Sequence, residues 1–274
     1  MRIRRIAILI DGGFFLKRLP KVVEPRFHDT PKAVAETARI LCKRHVQRLI
    51  GETDDTDPSR WLDHVYRLFY YDARPFDGIA HHPIANRRIE YAKTSQAQFR
   101  DSLFQELRHK RKFALRLGKV TKEGDWQISS RLTKSLIKTR EWVPLLESLL
   151  SSGNEGQALP LLTDEKRRNL EKLITTWKSF GEDDVSLILR QKGVDMRIGL
   201  DIASTTLKKQ VDTIILVTGD SDFVPAAKMA RREGVEFILD PMRQSVNDDL
   251  LEHIDGLISV FKTGNQNDQS EDNQ

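Results

Sequence analysis

Cysteine is almost absent: Cys42 stands alone in 274 residues. One thiol excludes an internal disulfide and suits a reducing compartment, so a cytoplasmic location is expected. Within ARILCKRHVQRLI, helical spacing makes Cys42 an ordinary half-buried residue and not a catalytic thiol. Long apolar runs are also missing. None approaches the roughly 20 residues that a membrane-crossing helix needs, and no membrane partner is expected. The run Ile6–Ile10 follows basic residues, but it is too short for a signal-peptide core and ends in Asp11. It reads as a strand. Neither GxGxxG nor GK[ST] occurs, which removes the glycine-rich phosphate loops, and no internal repeat is visible.

Charge is plentiful but uneven. The formal net charge is +5, yet between His81 and Arg140 fifteen Lys and Arg stand against five Asp and Glu. A regional excess of this kind points to a polyanionic partner more than to a solvated helical face. His81 and His82 are adjacent, so their side chains diverge and a shared metal is not expected.

The organising stretch is IILVTGDSDF, Ile214–Phe223. A short buried strand ends at Thr218, Gly219 turns the chain, and Asp220 and Asp222 precede a helix that runs to about Arg232. Residue by residue, Asp220 can be a turn residue and Asp222 a helix cap. Together they also place two carboxylates at the carboxyl end of a buried strand, where open α/β sheets bind ligands. Crowded carboxylates call for a cation, and Mg²⁺ prefers oxygen donors.

The same arrangement recurs along the chain. Ile3–Ile10 reads as a first strand ending in Asp11, with Gly12-Gly13 turning into a helix that Pro20 stops or interrupts. Thr30–Ile50 reads as a helix, Thr30 its cap and Pro31 its first residue. Glu52–Ser59 is an acidic loop. Val65–Tyr71 is a strand ending in Asp72. Ile79–His109 is expected to be helical, Phe113–Val120 a strand with Trp126–Leu132 pairing to it, Trp142–Leu150 a short helix, Ser151–Gln157 a loop and Thr163–Phe180 a helix. Val185–Arg190 is a strand, Gln191-Lys192-Gly193 a turn and Val194–Lys209 a helix with Asp195 in its first turn, where the helix dipole favours negative charge. Asp201, six residues on, falls about 240° around that helix and off the face of Asp195. Val235–Leu239 is a strand ending in Asp240, Ser245–Ser259 a final helix, and 263–274 a disordered tail. The expected architecture is α/β: a Rossmann-like parallel sheet with helices on both faces. Residues 1–262 form one domain, and 79–182 form a basic, helix-rich insertion or elaboration.

Asp-Gly-Gly at 11–13, Lys-Gly-Val-Asp at 192–195 and Thr-Gly-Asp-Ser-Asp-Phe at 218–223 together resemble the NYN domain family, the PIN-like metal-dependent ribonucleases, and within it the LabA-like branch. The resemblance covers roughly 1–75 and 183–262. It implies RNA hydrolysis at an acidic Mg²⁺ or Mn²⁺ site. By family position the acidic set is Asp11, Asp195, Asp220 and Asp222. Asp201 matches a recurrent acid behind them, with Thr218 and Ser221 as supporting hydroxyls. The family often carries Asn three residues after the first Asp; here that residue is Phe14, which removes a polar contact to substrate. Lys192, Arg87, Arg88, Lys110, Arg111 and Lys112 are the candidate phosphate contacts, positioning RNA without reading its sequence. Single-stranded RNA is the expected partner, and a homodimer is a family-level expectation.

Two other enzyme classes place acids at similar points. A haloacid-dehalogenase-type phosphatase needs a second Asp two residues after the first, where Gly13 stands. A Toprim-type nuclease needs Glu after its first strand, where Asp11 stands. The alternative from another class is a non-catalytic RNA-binding or regulatory module that retains the acidic pocket, and Phe14 is its main support.

Overall fold

The structure is a computed structural model that describes residues 4–51, 59–144, 147 and 163–261. The expected loop Glu52–Ser59, the expected helix Trp142–Leu150, the expected loop Ser151–Gln157 and the expected tail 263–274 fall wholly or largely outside the described residues.

Strand β1 (Ile6–Asp11) owes its place to composition. Every residue from Ile6 to Ile10 is apolar and fully buried, so both faces of the strand must be covered. Its alternate side chains enter two separate cores. Ile6, Ile8 and Ile10 pack with Phe15 and Leu19 of α1 (Gly12–Val22) and with Ala38, Leu41 and Cys42 of α2 (Pro31–Ile50). Ala7 and Leu9 face the opposite layer, against Ile198 and Ile202 of the helix Val194–Leu207 and Ala227 of the helix Val224–Arg232. Burial in the first core pushes the Cys42 thiol pKa up and leaves it a packing residue.

The chain continues through β2 (Val65–Arg74), a short antiparallel pair β3 (Ile79–His81) and β4 (Arg88–Glu90), α3 (Ser95–Arg108), β5 (Phe113–Ile128), β6 (Val185–Lys192), β7 (Thr213–Val217), β8 (Glu236–Asp240) and the two-residue β9 (Gly256–Leu257). The main sheet has seven strands in the order β6-β5-β2-β1-β7-β8-β9 and is mostly parallel. The chain leaves β1 toward β2 and β5, then returns to β7 on the other side of β1. The directions of travel diverge between β1 and β7, which makes that junction the topological switch point.

The chain divides into two compact units: residues 1–77, 91–121 and 191–274, and residues 78–90 and 122–190. The first holds both cores described above. The second contains the β3–β4 pair and the helices Ser130–Ile137 and Asp164–Ser179, with Leu132, Leu136, Leu173 and Leu187 buried. Helix α3, inside the expected elaboration at 79–182, belongs to the first unit and contributes Leu103 and Leu107 to its core.

Several local expectations are corrected. Helix α1 runs through Pro20 to Val22, because Pro20 is exposed while Leu19 and Val22 hold the helix to the core. Residues 79–90 are not helical, and Tyr91–Lys93 form only a 3₁₀ turn. The turn at Pro83 is closed by His82, whose Nδ1 accepts from the Ile84 and Ala85 amides, and Thr94 caps α3 at 3.3 Å from the Ala97 amide. Phe113–Ile128 is one strand, not two. Gly118 and Gly124 allow this: an added Cβ would stand 2.4 Å from the Lys192 carbonyl oxygen or 2.9 Å from Ile188. The final helix is only Asp248–Leu251. Asp255 instead binds the backbone of β8, its carboxylate accepting from the Phe237 amide at 2.8 Å, and this lays Gly256–Leu257 along the sheet.

Gly12 marks the tightest point of the first core. A Cβ there would stand 2.6 Å from the Tyr71 carbonyl and 2.7 Å from the Tyr70 ring. Gly199 has open space. Gly12→Ala is expected to destabilise the protein by about 2–3 kcal/mol in denaturant unfolding. Gly199→Ala should stabilise it by up to about 1 kcal/mol. Equal effects would contradict this packing.

Candidate acidic site at the switch point

Asp11 ends β1 and also caps α1. Its Oδ1 accepts from the Phe14 amide at 3.1 Å, and its Oδ2 accepts from the Thr218 hydroxyl at 3.4 Å. Thr218 is fully buried just beyond β7, and its Oγ1 also accepts from the Asp220 amide at 3.3 Å. Asp220 in turn caps the 3₁₀ turn Ser221–Phe223, accepting from the Asp222 amide at 3.0 Å. The cap is thus Asp220 and not Asp222, because the 3₁₀ turn intervenes and the helix Val224–Arg232 starts from Phe223 with no side-chain cap.

Asp195 comes from the first turn of the helix Val194–Leu207. Gly193, in the left-handed region at φ 78°, lets the chain leave β6 and enter that helix. The charges are felt mutually. Burial, and then the charges of Asp220 and Asp222, raise the Asp195 pKa. Burial raises that of Asp11 to about 6; Asp195 and Asp72 add to the rise, against the lowering contacts from Phe14 and Thr218. None of the four acids forms an ion pair with a described cation. Among the described residues no three His, Cys, Asp or Glu side chains already stand close enough to cage a metal ion. The donors nevertheless suit a hard divalent ion in kind and charge, being carboxylate oxygens that lack a counter-charge among the described residues.

Asp201 stands apart from these four. Its Oδ2 accepts from the Tyr71 hydroxyl and from Arg116 Nε, both at 2.9 Å, so it carries its own compensating cation. Ser221 begins the 3₁₀ turn, and its carbonyl closes that turn by accepting from the Val224 amide. Lys192, exposed, ends β6 immediately before Gly193. Lys110, Arg111 and Lys112 lie away from the acids. Lys110 pairs with Glu36 at 2.6 Å, and Lys112 donates to the Val65 carbonyl at 2.8 Å. With Arg111 they precede β5, at the amino edge of the sheet, opposite the acids. Arg87 and Arg88 belong to the second unit, where Arg87 pairs with Glu182 and Arg88 with Glu90.

Sequence reasoning passed over three residues here. Asp72, one position beyond the Asp11 register on β2, is fully buried and paired with Arg100 of α3; burial still raises its pKa. The signal was present, since Asp72 follows an apolar run as Asp11 does, although β2 continues past it to Arg74. Gln191 and Gln244 approach Gly13 and Gly219 respectively, and nothing in their local sequence announces it.

Comparison with known proteins finds one family match and one similar structure. The NYN domain model matches residues 146–260. That NYN match contains Asp195, Asp201, Asp220 and Asp222 but not Asp11, which the fold brings to them. No curated relative matches the chain. A crystal structure of a protein of unknown function from Vibrio parahaemolyticus RIMD 2210633 is similar at 14% identity, covering 95% of this chain and 99% of that one, with a TM-score of 0.37.

The raised Asp11 pKa has a stability consequence. A folded-state value above the ordinary 3.8 means that the native state holds the proton more tightly than the unfolded chain. Ionising Asp11 therefore costs stability, fully above about pH 6 and not at all well below pH 4. Metal-free Asp11→Asn is expected to be more stable than the parent at pH 7.5 by about 1–2 kcal/mol, allowing for solvent screening of a half-buried group. The gain should vanish near pH 3.5. A gain independent of pH, read by thermal melting, would contradict the assignment.

Proposed function

We propose that this protein is a metal-dependent ribonuclease that hydrolyses phosphodiester bonds of single-stranded RNA at the crevice between β1 and β7. The observation that carries the reading is the convergence of Asp11, Asp195, Asp220 and Asp222, from three separated parts of the chain, on the switch point without a compensating cation among the described residues. The NYN match over 146–260 supports it, because NYN domains are in general nuclease-like.

Asp11 and Asp220 would hold Mg²⁺ or Mn²⁺ directly, and Asp195 and Asp222 would complete the set or hold water. Such an ion, when bound, makes a nucleophile of water at neutral pH and offsets charge on the phosphate. The chain's own part is to position and to discriminate. The Phe14 amide and the Thr218 hydroxyl fix the two oxygens of Asp11. Asp201, through Tyr71 and Arg116, ties the helix bearing Asp195 to β2 and β5. Four carboxylates repel phosphate until a cation is present, so RNA binding follows cation binding. Lys192, at the same edge, would meet the RNA backbone. Lys110, Arg111 and Lys112, at the amino edge of the sheet, would meet more distant nucleotides; Arg87 and Arg88 remain candidate phosphate contacts of the second unit. A cytoplasmic location and a homodimer remain part of the same reading.

The test is cleavage of a labelled single-stranded RNA in Mn²⁺, in EDTA, and by the Asp220→Asn/Asp222→Asn variant. Cleavage should require the metal and fall about a hundredfold or more in the variant. RNA retained without cleavage, and unaffected by the double substitution, would instead favour the non-catalytic RNA-binding module.

A further inference from the structure

The loop after β8 brings Gln244 to Gly219, beside Asp220 of the acidic crevice. Met242 and Arg243 both hold positive φ, 46° and 63°, a region that non-glycine residues keep only when their surroundings impose it. The surroundings here do so at every point. The Met242 amide donates to Asp240 Oδ1 at 2.7 Å, and the other Asp240 oxygen lies 2.7 Å from His45 Nε2 in a fully buried pair. Arg18 of α1 donates to the Met242 carbonyl at 2.8 Å. Arg243 donates to Ser259 Oγ and to the Phe261 carbonyl, both at 3.0 Å. The Gln244 amide closes the turn on the Pro241 carbonyl at 2.9 Å.

This fixed base delivers the exposed Gln244 side chain over Gly219, between Thr218 and Asp220. A Cβ on Gly219 would stand 2.7 Å from Gln244 Nε2 and 2.8 Å from Phe14 Cε2. Gln244 and Phe14 thus meet over one glycine at the floor of the crevice. Phe14 occupies the position where the NYN resemblance leads one to expect Asn. The Gln244 carboxamide makes no hydrogen bond to any described residue. Beside four carboxylates, a neutral donor can approach a phosphate without adding repulsion, and it forms no competing ion pair with the acids.

We propose that the Gln244 carboxamide is a substrate-binding group, donating an N–H to a non-bridging phosphodiester oxygen and supplying the polar contact that Phe14 lacks. The inference rests on the ribonuclease reading. Full-length Gln244→Ala and Gln244→Glu, with the parent, would be measured for binding of a fluorescent single-stranded RNA in Ca²⁺, for cleavage in Mn²⁺, and for thermal midpoint. Gln244→Ala should raise both Kd and KM about tenfold, leave kcat within about twofold and leave the midpoint unchanged. Gln244→Glu should lose more, through like charge. A parent that cleaves while Gln244→Ala keeps its Kd and KM, or loses only kcat, overturns the Gln244 assignment and leaves the ribonuclease reading standing. A parent that neither binds nor cleaves RNA overturns both.

Discussion

Strand β1 is sealed on both faces and paired along both edges, to β2 from Ile6 to Asp11 and to β7 from Ile6 to Ile10. Five consecutive fully buried apolar residues leave it no alternative position in the sheet. Its two neighbours are reached by connections that travel in opposite directions, so the loops beyond the carboxyl ends of β1 and β7 separate and leave a crevice. Asp11 stands on one lip, and Thr218, Asp220 and Asp222 on the other. A register slip of one residue would exchange the faces of β1 and move Asp11 away from Thr218. The acidic site is thus a consequence of how a buried strand is paired.

The carboxylates placed there carry unfavourable electrostatics in the metal-free protein. Burial and mutual repulsion raise Asp11 and Asp195, while Asp201 and Asp72 each have an arginine. That contrast separates acids that build the fold from the acids to which the proposed function assigns a cation. Asp240 belongs with the builders: its two oxygens hold His45 and the Met242 amide.

The parallel sheet, the strand-terminal acids and the caps Thr30, Thr94 and Thr163 depend on local chemistry, and apart from Thr94 they are legible in the amino-acid order. Buried parallel strands read as apolar runs, and the residue that ends such a run lies at the ligand-binding edge. Long-range pairing is not legible. Ile79–His109 has apolar residues spaced as on a helix, yet His82 closes a turn around Pro83. Ser245–Ser259 has helical spacing, yet the Asp255 carboxylate finds the backbone of β8. Lys110 and Lys112 count toward a basic region in the sequence, but they serve Glu36 and a β2 carbonyl. Gln244 enters the crevice only because Arg18, Ser259 and Asp240 impose its loop.

The central claim is that the switch-point carboxylates form one divalent-cation site. Crystals grown in Mn²⁺ and measured for anomalous scattering at the manganese edge test it most directly. The account predicts a peak between Asp11 and Asp220, about 2.1 Å from an oxygen of each, with Asp195 or Asp222 within reach of its coordinated water. No peak there at millimolar Mn²⁺, with the four carboxylates well ordered, would contradict it.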